Sequence, residues 1–204
     1  MLRQVTLFVI IGTFLIGTYY VVAASYIPSE QQNKIAVQLN DFQPGLGFEK
    51  LVSMDEAERA RLVGLMPSET VRLLMEEAKT RPSFVSESLD DLKQKAGSDL
   101  QLVKFSQITA LKGYNAAGTA ILVQSPSGSY LRFENFNVTP GIDQRIFLTK
   151  DGSPSSGVDL GRLKATVGSQ NYAIPSVNTE EYNIVIIYSK TLDAYYAHAR
   201  FLKS

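Results

Sequence analysis

The chain has 204 residues, and its 20 Lys and Arg balance 20 Asp and Glu, so it lacks the net charge that draws nucleic acid or a polyanionic substrate. It has no cysteine and a single histidine, His198, which excludes thiolate metal sites, iron–sulfur centres, thiol–disulfide exchange and any multi-histidine metal site within one chain. Function has to be argued from local patterns.

The first pattern is VTLFVIIGTFLIGTYYVVAA, residues 5–24, a stretch without a charge. At a rise of about 1.5 Å per residue a helix of that length crosses a hydrocarbon core of about 30 Å, which predicts one transmembrane helix. Arg3 precedes it as a positive-inside anchor, and Tyr19, Tyr20 and Tyr26 stand at or near its far end, where amphipathic rings prefer the headgroup zone. The expectation is an uncleaved signal anchor over residues 1–25, a single pass through the cell membrane, and everything after it outside the cytoplasm. A signal peptide cut near Val22-Ala23-Ala24 is the rival reading. Against it, the apolar stretch exceeds the roughly 7 to 15 residues of an ordinary signal core.

Residues 26–100 read as a helical segment with 13 acidic and 9 basic side chains, whereas residues 101–204 hold 7 acidic and 10 basic. Opposite balances favour contact between the two. SMDE (53–56) has capping-box spacing and opens one helix. SETVRLLMEEAK (68–79) forms a second, with Ser68 as N-cap and Val71, Leu74, Met75 and Ala78 on one stripe. A third runs from about residue 87 to 96 and stops at Gly97, and Pro67 and Pro82 separate the three. Helices this short are marginal alone, so their stripes must meet one another, the C-terminal region or a partner. Met54, Met66 and Met75 read as packing groups rather than copper ligands.

From about residue 100 the pattern becomes short β-rich runs between turn clusters, without the helix–strand alternation of parallel sheets. TAILVQ (119–124) and SYLRFENF (129–136) flank the hairpin signal SPSG, and RIFLTK (145–150) precedes the loop DGSPSSG. YNIVIIYSK (182–190) is apolar on both faces, as in a central strand. In the last run Tyr195, Ala197, Ala199 and Phe201 alternate with Tyr196, His198 and Arg200, which places His198 on the more polar face. The expected fold is mainly β, an antiparallel β-sandwich-like domain over residues 101–204, and α+β overall once the helical segment and the span are included. Asn137-Val138-Thr139 is an acceptor sequon, so placement outside the cytoplasm permits a glycan on Asn137.

Four stretches of this region, GYNAAGTAILV (113–123), YLRFENFNVTPGID (130–143), VDLGRLKATVGSQNYAIP (158–175) and YNIVIIYSK, resemble the DM-thirteen domain, the Skeletor-type module of extracellular and envelope proteins. The resemblance covers roughly residues 107–202. It is most specific in the third stretch, through the order Leu-Gly, Leu-Lys, Gly, Gln-Asn-Tyr and Ile-Pro. It implies a β-sandwich-like extracellular domain, proposed to transfer electrons through a cysteine near the end of the penultimate strand. Ser189 holds that position here, and Asn115 stands in the segment where many members carry a histidine. A serine hydroxyl does not preserve thiol redox chemistry.

The candidate functional surface is therefore Asn115, Asp143, Lys164, Tyr172, Ser189 and His198. Asp143 is expected to organise its loop and, near Lys164, to fix a surface pocket, and Tyr172 is expected to be half-buried. No nucleophile elbow, metal triad or pair of catalytic carboxylates is assignable, and a lone histidine lacks an orienting partner set. The expectation is a non-enzymatic, membrane-anchored, extracytoplasmic binding or assembly module with no cofactor of its own, whose partner is an envelope protein or glycan and not nucleic acid. The alternative is an accessory electron-transfer protein of the cell envelope that uses a partner-supplied or non-thiolate cofactor.

Overall fold

A computed structural model of the chain describes residues 30–202. The span expected over residues 5–24, and with it the choice between signal anchor and signal peptide, lies outside those residues. Among the described residues no helix is long and apolar enough to cross a membrane.

The N-terminal part is helical: α1 (Glu30–Phe42), α2 (Phe48–Ser53), α3 (Glu56–Leu65) and α4 (Ser68–Lys79). The first two have no counterpart among the sequence expectations. Ile35 and Leu39 of α1, Leu51 of α2, Leu62 and Val63 of α3, and Leu73, Leu74 and Ala78 of α4 form one buried cluster. No helix here closes a core by itself, so each depends on the others. Ile142 joins the same cluster and Leu192 packs on its edge, so the helical segment is fastened to the β-rich region by shared apolar surface.

Two caps differ from expectation. The α3 N-cap is Asp55, whose carboxylate accepts from Ala57 N at 2.8 Å, while Ser53 closes α2 and donates to Lys50 O. At α4 the cap position belongs to Pro67, and Ser68 is the first helical residue; no side chain bonds there. Proline serves because its fixed φ suits a helix start and its missing N–H is not needed there.

The rest comprises β1 (Phe84–Ser86), α5 (Leu89–Ala96), β2 (Gln101–Gln107), β3 (Thr109–Ala110), β4 (Ala116–Ser125), β5 (Gly128–Val138), β6 (Gln144–Thr149), a 3-10 turn (Pro154–Ser156), β7 (Val158–Arg162), β8 (Val167–Ile174), β9 (Ile184–Ser189) and β10 (Ala194–Arg200). Helix α5 has a full capping box. Ser88 Oγ accepts from Asp91 N, the Asp91 carboxylate accepts from Ser88 N, and the helix stops at Gly97 with φ 92°.

The strands build two five-stranded sheets, ordered β1-β8-β5-β4-β2 and β3-β10-β9-β6-β7. Pairing is antiparallel except for β1 beside β8. Between the sheets lie Ala120 and Leu122 of β4, Leu131 and Phe133 of β5, Ile146 and Leu148 of β6, Val185 and Ile187 of β9, and Ala197 and Ala199 of β10. That is the period-2 pattern of two facing sheets. The chain crosses from one sheet to the other at Ile108, between β2 and β3.

Strand β9 is buried on both faces, as its sequence requires: Val185 and Ile187 point into the core, and Ile184 and Ile186 pack with Phe147 on the other side. On the outer face of the first sheet, Leu92 and Ala96 of α5 cover Ile121 and Val123. Strand β1 and helix α5, which precede residue 101, are thus integral to the sandwich.

One alternation fails. A bulge between Tyr195 and Ala197 turns Tyr196 into the core, where it is 1% exposed with its ring centroid 4.2 Å from that of Tyr114. Tyr196 therefore does not share the polar face expected for it. A bulge inserts one residue and flips the facing of everything before it.

Candidate functional site

The expected thiol position closes strand β9. Ser189 is paired with Gln144 on β6 and Ala194 on β10, and it is completely buried. Its hydroxyl donates to Ile142 O at 2.6 Å and accepts from Leu192 N at 3.2 Å. These bonds tie the end of β9 to the turn before β6. The next residue of that turn, Asp143, sits in the left-handed region at φ 54°, a conformation Asp tolerates better than most.

Asp143 points at the helical segment. Its Oδ2 accepts from Thr191 Oγ1 at 3.1 Å, and its Oδ1 lies 3.0 Å from Arg59 Nη2 and 3.4 Å from Arg162 Nε. The Asp143 and Arg59 side chains are 0% and 1% exposed. Arg59 also donates through Nη1 to Val52 O and Met54 O, both at 2.9 Å, and through Nε to Thr191 Oγ1 at 3.4 Å. The contact between Nη2 and Oδ1 is close but lacks hydrogen-bond alignment, so the attraction there is Coulombic.

Around this pair runs a second ring. Arg145 donates to Glu56 and Asp159 at 2.7 and 2.8 Å, and Lys190 lies 3.6 and 3.3 Å from the same two carboxylates. Burial opposes ionisation of Asp159, but hydrogen bonds from Arg145 and Gly161 N outweigh it and hold its carboxyl below the usual range.

The signature VDLGRLKATVGSQNYAIP folds as β7, a tight loop and β8. Gln170, completely buried, spans the loop: its Nε2 donates to Ala165 O at 2.6 Å and its Oε1 accepts from Ala165 N at 3.3 Å. Tyr172 donates to Gln170 Oε1 and accepts from Lys164 N at 2.9 Å. Tyr172 is 5% exposed, so it is buried and not half-buried, and burial raises its phenol pKa. Gly168 has φ 115° and faces the carbonyl of Val85 so closely that no side chain fits. The order of residues in this stretch is thereby explained as loop construction.

Residues 107–201 match the family model described as Electron transfer DM13. They form a DM13 domain. No curated protein and no solved structure matches the chain.

The DM13 match begins at the last residue of β2, yet the signature leans on chain that precedes it. Lys164 Nζ donates to both oxygens of Glu87 at 2.7 and 2.8 Å and to Asn171 O. Ser83 and Thr166 exchange three hydrogen bonds. Burial pushes the Glu87 carboxyl up, but hydrogen bonds from Lys164 and Asn171 N outweigh it, and the net direction is down. The expected pairing of Asp143 with Lys164 is therefore corrected: Lys164 belongs to Glu87, and Asp143 belongs to Arg59, Thr191 and Arg162.

The six candidates fall in four places in the DM13 domain. Asp143 and Ser189 share the turn beneath the helical segment, and Lys164 and Tyr172 share the signature loop. Asn115 is exposed, and its backbone N–H and carbonyl bond with Thr139. Asn137 of the sequon is exposed beside it on β5. His198 lies half-buried on the outer face of the second sheet with Ile184, Ile186, Tyr195 and Arg200 around a hollow of about 210 Å³. Among the described residues no group of three or more His, Asp or Glu gathers as a metal set.

Arg59, Thr191, Arg162 and Glu87 were not singled out from sequence. For Arg59 a signal existed: it stands three and four residues before Leu62 and Val63, on the apolar face of its helix, where an arginine needs a buried partner.

Proposed function

We propose that the chain is a membrane-tethered, extracytoplasmic binding or assembly module whose DM13 domain does not itself carry electrons. The observation that supports this most directly is the state of Ser189, the position at which the DM-thirteen resemblance places a cysteine. Its hydroxyl is fully buried and committed to Ile142 O and Leu192 N, as a staple between β9 and the turn at 142–143. An alcohol there offers neither a thiolate nor an accessible reduction couple, and no cysteine stands elsewhere in the sequence. The tether rests on the uncharged stretch 5–24, and the partner class, an envelope protein or glycan, on the outward placement that follows from it.

The purified protein should be colourless and show no reversible wave in protein-film voltammetry across the range of biological donors. Ser189→Cys should add a thiol that reacts slowly with soluble disulfide reagents, because the site is closed. A reversible wave from the unmodified protein would put accessory electron transfer, through a partner-supplied or non-thiolate cofactor, in first place; the family description favours that second reading.

Topology is tested separately. Protease added to intact cells should remove the chain beyond Tyr26, and cleavage seen only after permeabilisation would reverse the orientation.

A further inference from the structure

Between α3 and the turn at 141–144 lies a cavity of about 160 Å³, lined by Arg59, Arg162, Asp143, Gln144 and Ser83 among others. We propose that this cavity binds one small oxyanion, such as phosphate, sulfate or acetate, between Arg59 and Arg162.

Charge points to the sign of the ligand. The ion pairs that converge here involve four cations (Arg59, Arg162, Arg145 and Lys190) and three carboxylates (Asp143, Glu56 and Asp159), which leaves one positive charge. Arg145 and Lys190 share Glu56 and Asp159, so the excess falls on the two guanidiniums that line the cavity and have only Asp143 between them. Arg59 Nη1 and Nε are already committed to Val52 O, Met54 O and Thr191, so Arg59 offers Nη2 alone, and the fork whose parallel N–H groups match two oxygens is that of Arg162.

Donors point the same way. Arg59 is 1% exposed, and its Nη2, 3.0 Å from Asp143 Oδ1, makes no aligned hydrogen bond there; Asp143 Oδ1 is likewise without an aligned donor, so the oxyanion needs a water between itself and that oxygen. A buried donor whose only neighbouring acceptor is misaligned gains from an oxygen in the cavity that can accept from it along the N–H direction. Ser83 Oγ accepts from Thr166 N at 3.1 Å, which leaves its own hydrogen to be donated. The volume equals roughly five waters at about 30 Å³ each, enough for an oxyanion of four or five heavy atoms with one water.

The inference goes beyond the proposed function and stands independently of it, since a redox wave would leave an anion titration unaffected. The test is thermal unfolding of the full chain in detergent, with sodium phosphate replacing sodium chloride at constant ionic strength. The expected result is a rise in Tm that saturates with a single midpoint in the millimolar range, and calorimetric titration near one phosphate per chain, with sulfate and acetate competing. Arg162 is half-exposed and 3.4 Å from Asp143 Oδ1, so Arg162→Gln should lower Tm in chloride far less than Arg59→Ala does and should lose the phosphate increment. Arg162→Lys should retain the charge but weaken binding several-fold through loss of the fork. Phosphate and sulfate also stabilise proteins generally by exclusion from the surface. A Tm rise that does not saturate, or that persists unchanged in Arg162→Gln, would therefore overturn the proposal and leave a water-filled cavity.

Discussion

Arg59→Ala should lower the unfolding free energy by about 3–5 kcal/mol, the usual cost of removing one partner from a buried ion pair. At this chain length that corresponds to a fall in Tm of roughly 6–20 °C. The cost is large because the Asp143 side chain, 0% exposed, would keep its charge without its closest cation, and Thr191 would lose a donor. Arg59 also holds the carbonyls of Val52 and Met54, so the junction of α2 and α3 should loosen with it. Asp143→Asn should be milder than Asp143→Ala, since the amide can still accept from Thr191. Because the attraction of a buried pair mostly offsets its desolvation, the double replacement Arg59→Met with Asp143→Leu should recover much of the loss. Thermal melts of the four proteins decide it, and an Arg59→Ala protein melting within about 2 °C of the parent would show that the pair does not hold the helical segment in place.

Gly168→Ala should cost about 2–4 kcal/mol, combining left-handed backbone strain with a steric conflict. A Cβ at that position would stand 1.7 Å from Val85 O, backbone that cannot give way without unpairing β1 from β8. The damage should be local before it is global. Hydrogen exchange should accelerate at Val167 N and Glu87 N, which donate to Ser83 O and Ser169 O along that pairing. Gly161 provides the internal control: its φ is 104° but nothing lies near its missing Cβ, so alanine there should cost only the backbone term of about 1–2 kcal/mol. Equal losses at the two positions would mean that the contact with Val85 is not what requires glycine in the signature.

Much of the β domain is readable from sequence because strand facing has a period of two and turns have their own chemistry. The hairpin at 125–128, the loop after β6 and the double burial of β9 follow from runs only a few residues long. Helix α5 is equally local, since its cap and its stop lie within ten residues of each other. The helical segment is less readable. Helices α1 and α2 carry weak stripes, and what makes them helical is a cluster assembled from four helices and Ile142. Tyr196 escapes the alternation because a bulge is decided by pairing with β9 and β3, not by the strand's own residues.

The candidate site divides in the same way. Composition alone determined that no thiol exists and that only one imidazole does, which sets the limits of the chemistry whatever the fold. The sequence also placed Ser189 at the end of a buried strand, because the four apolar residues from Ile184 to Ile187 occupy both faces of YNIVIIYSK. Only tertiary structure decided what Ser189 and Asp143 touch. Arg59 reaches Asp143 across 84 positions of chain, and Glu87 reaches Lys164 across 77. Side-chain periodicity reports which way a residue faces, since that is a property of the local backbone. Which charges meet depends on how separately formed helices and strands pack, and that is settled by apolar surface remote from the charges themselves.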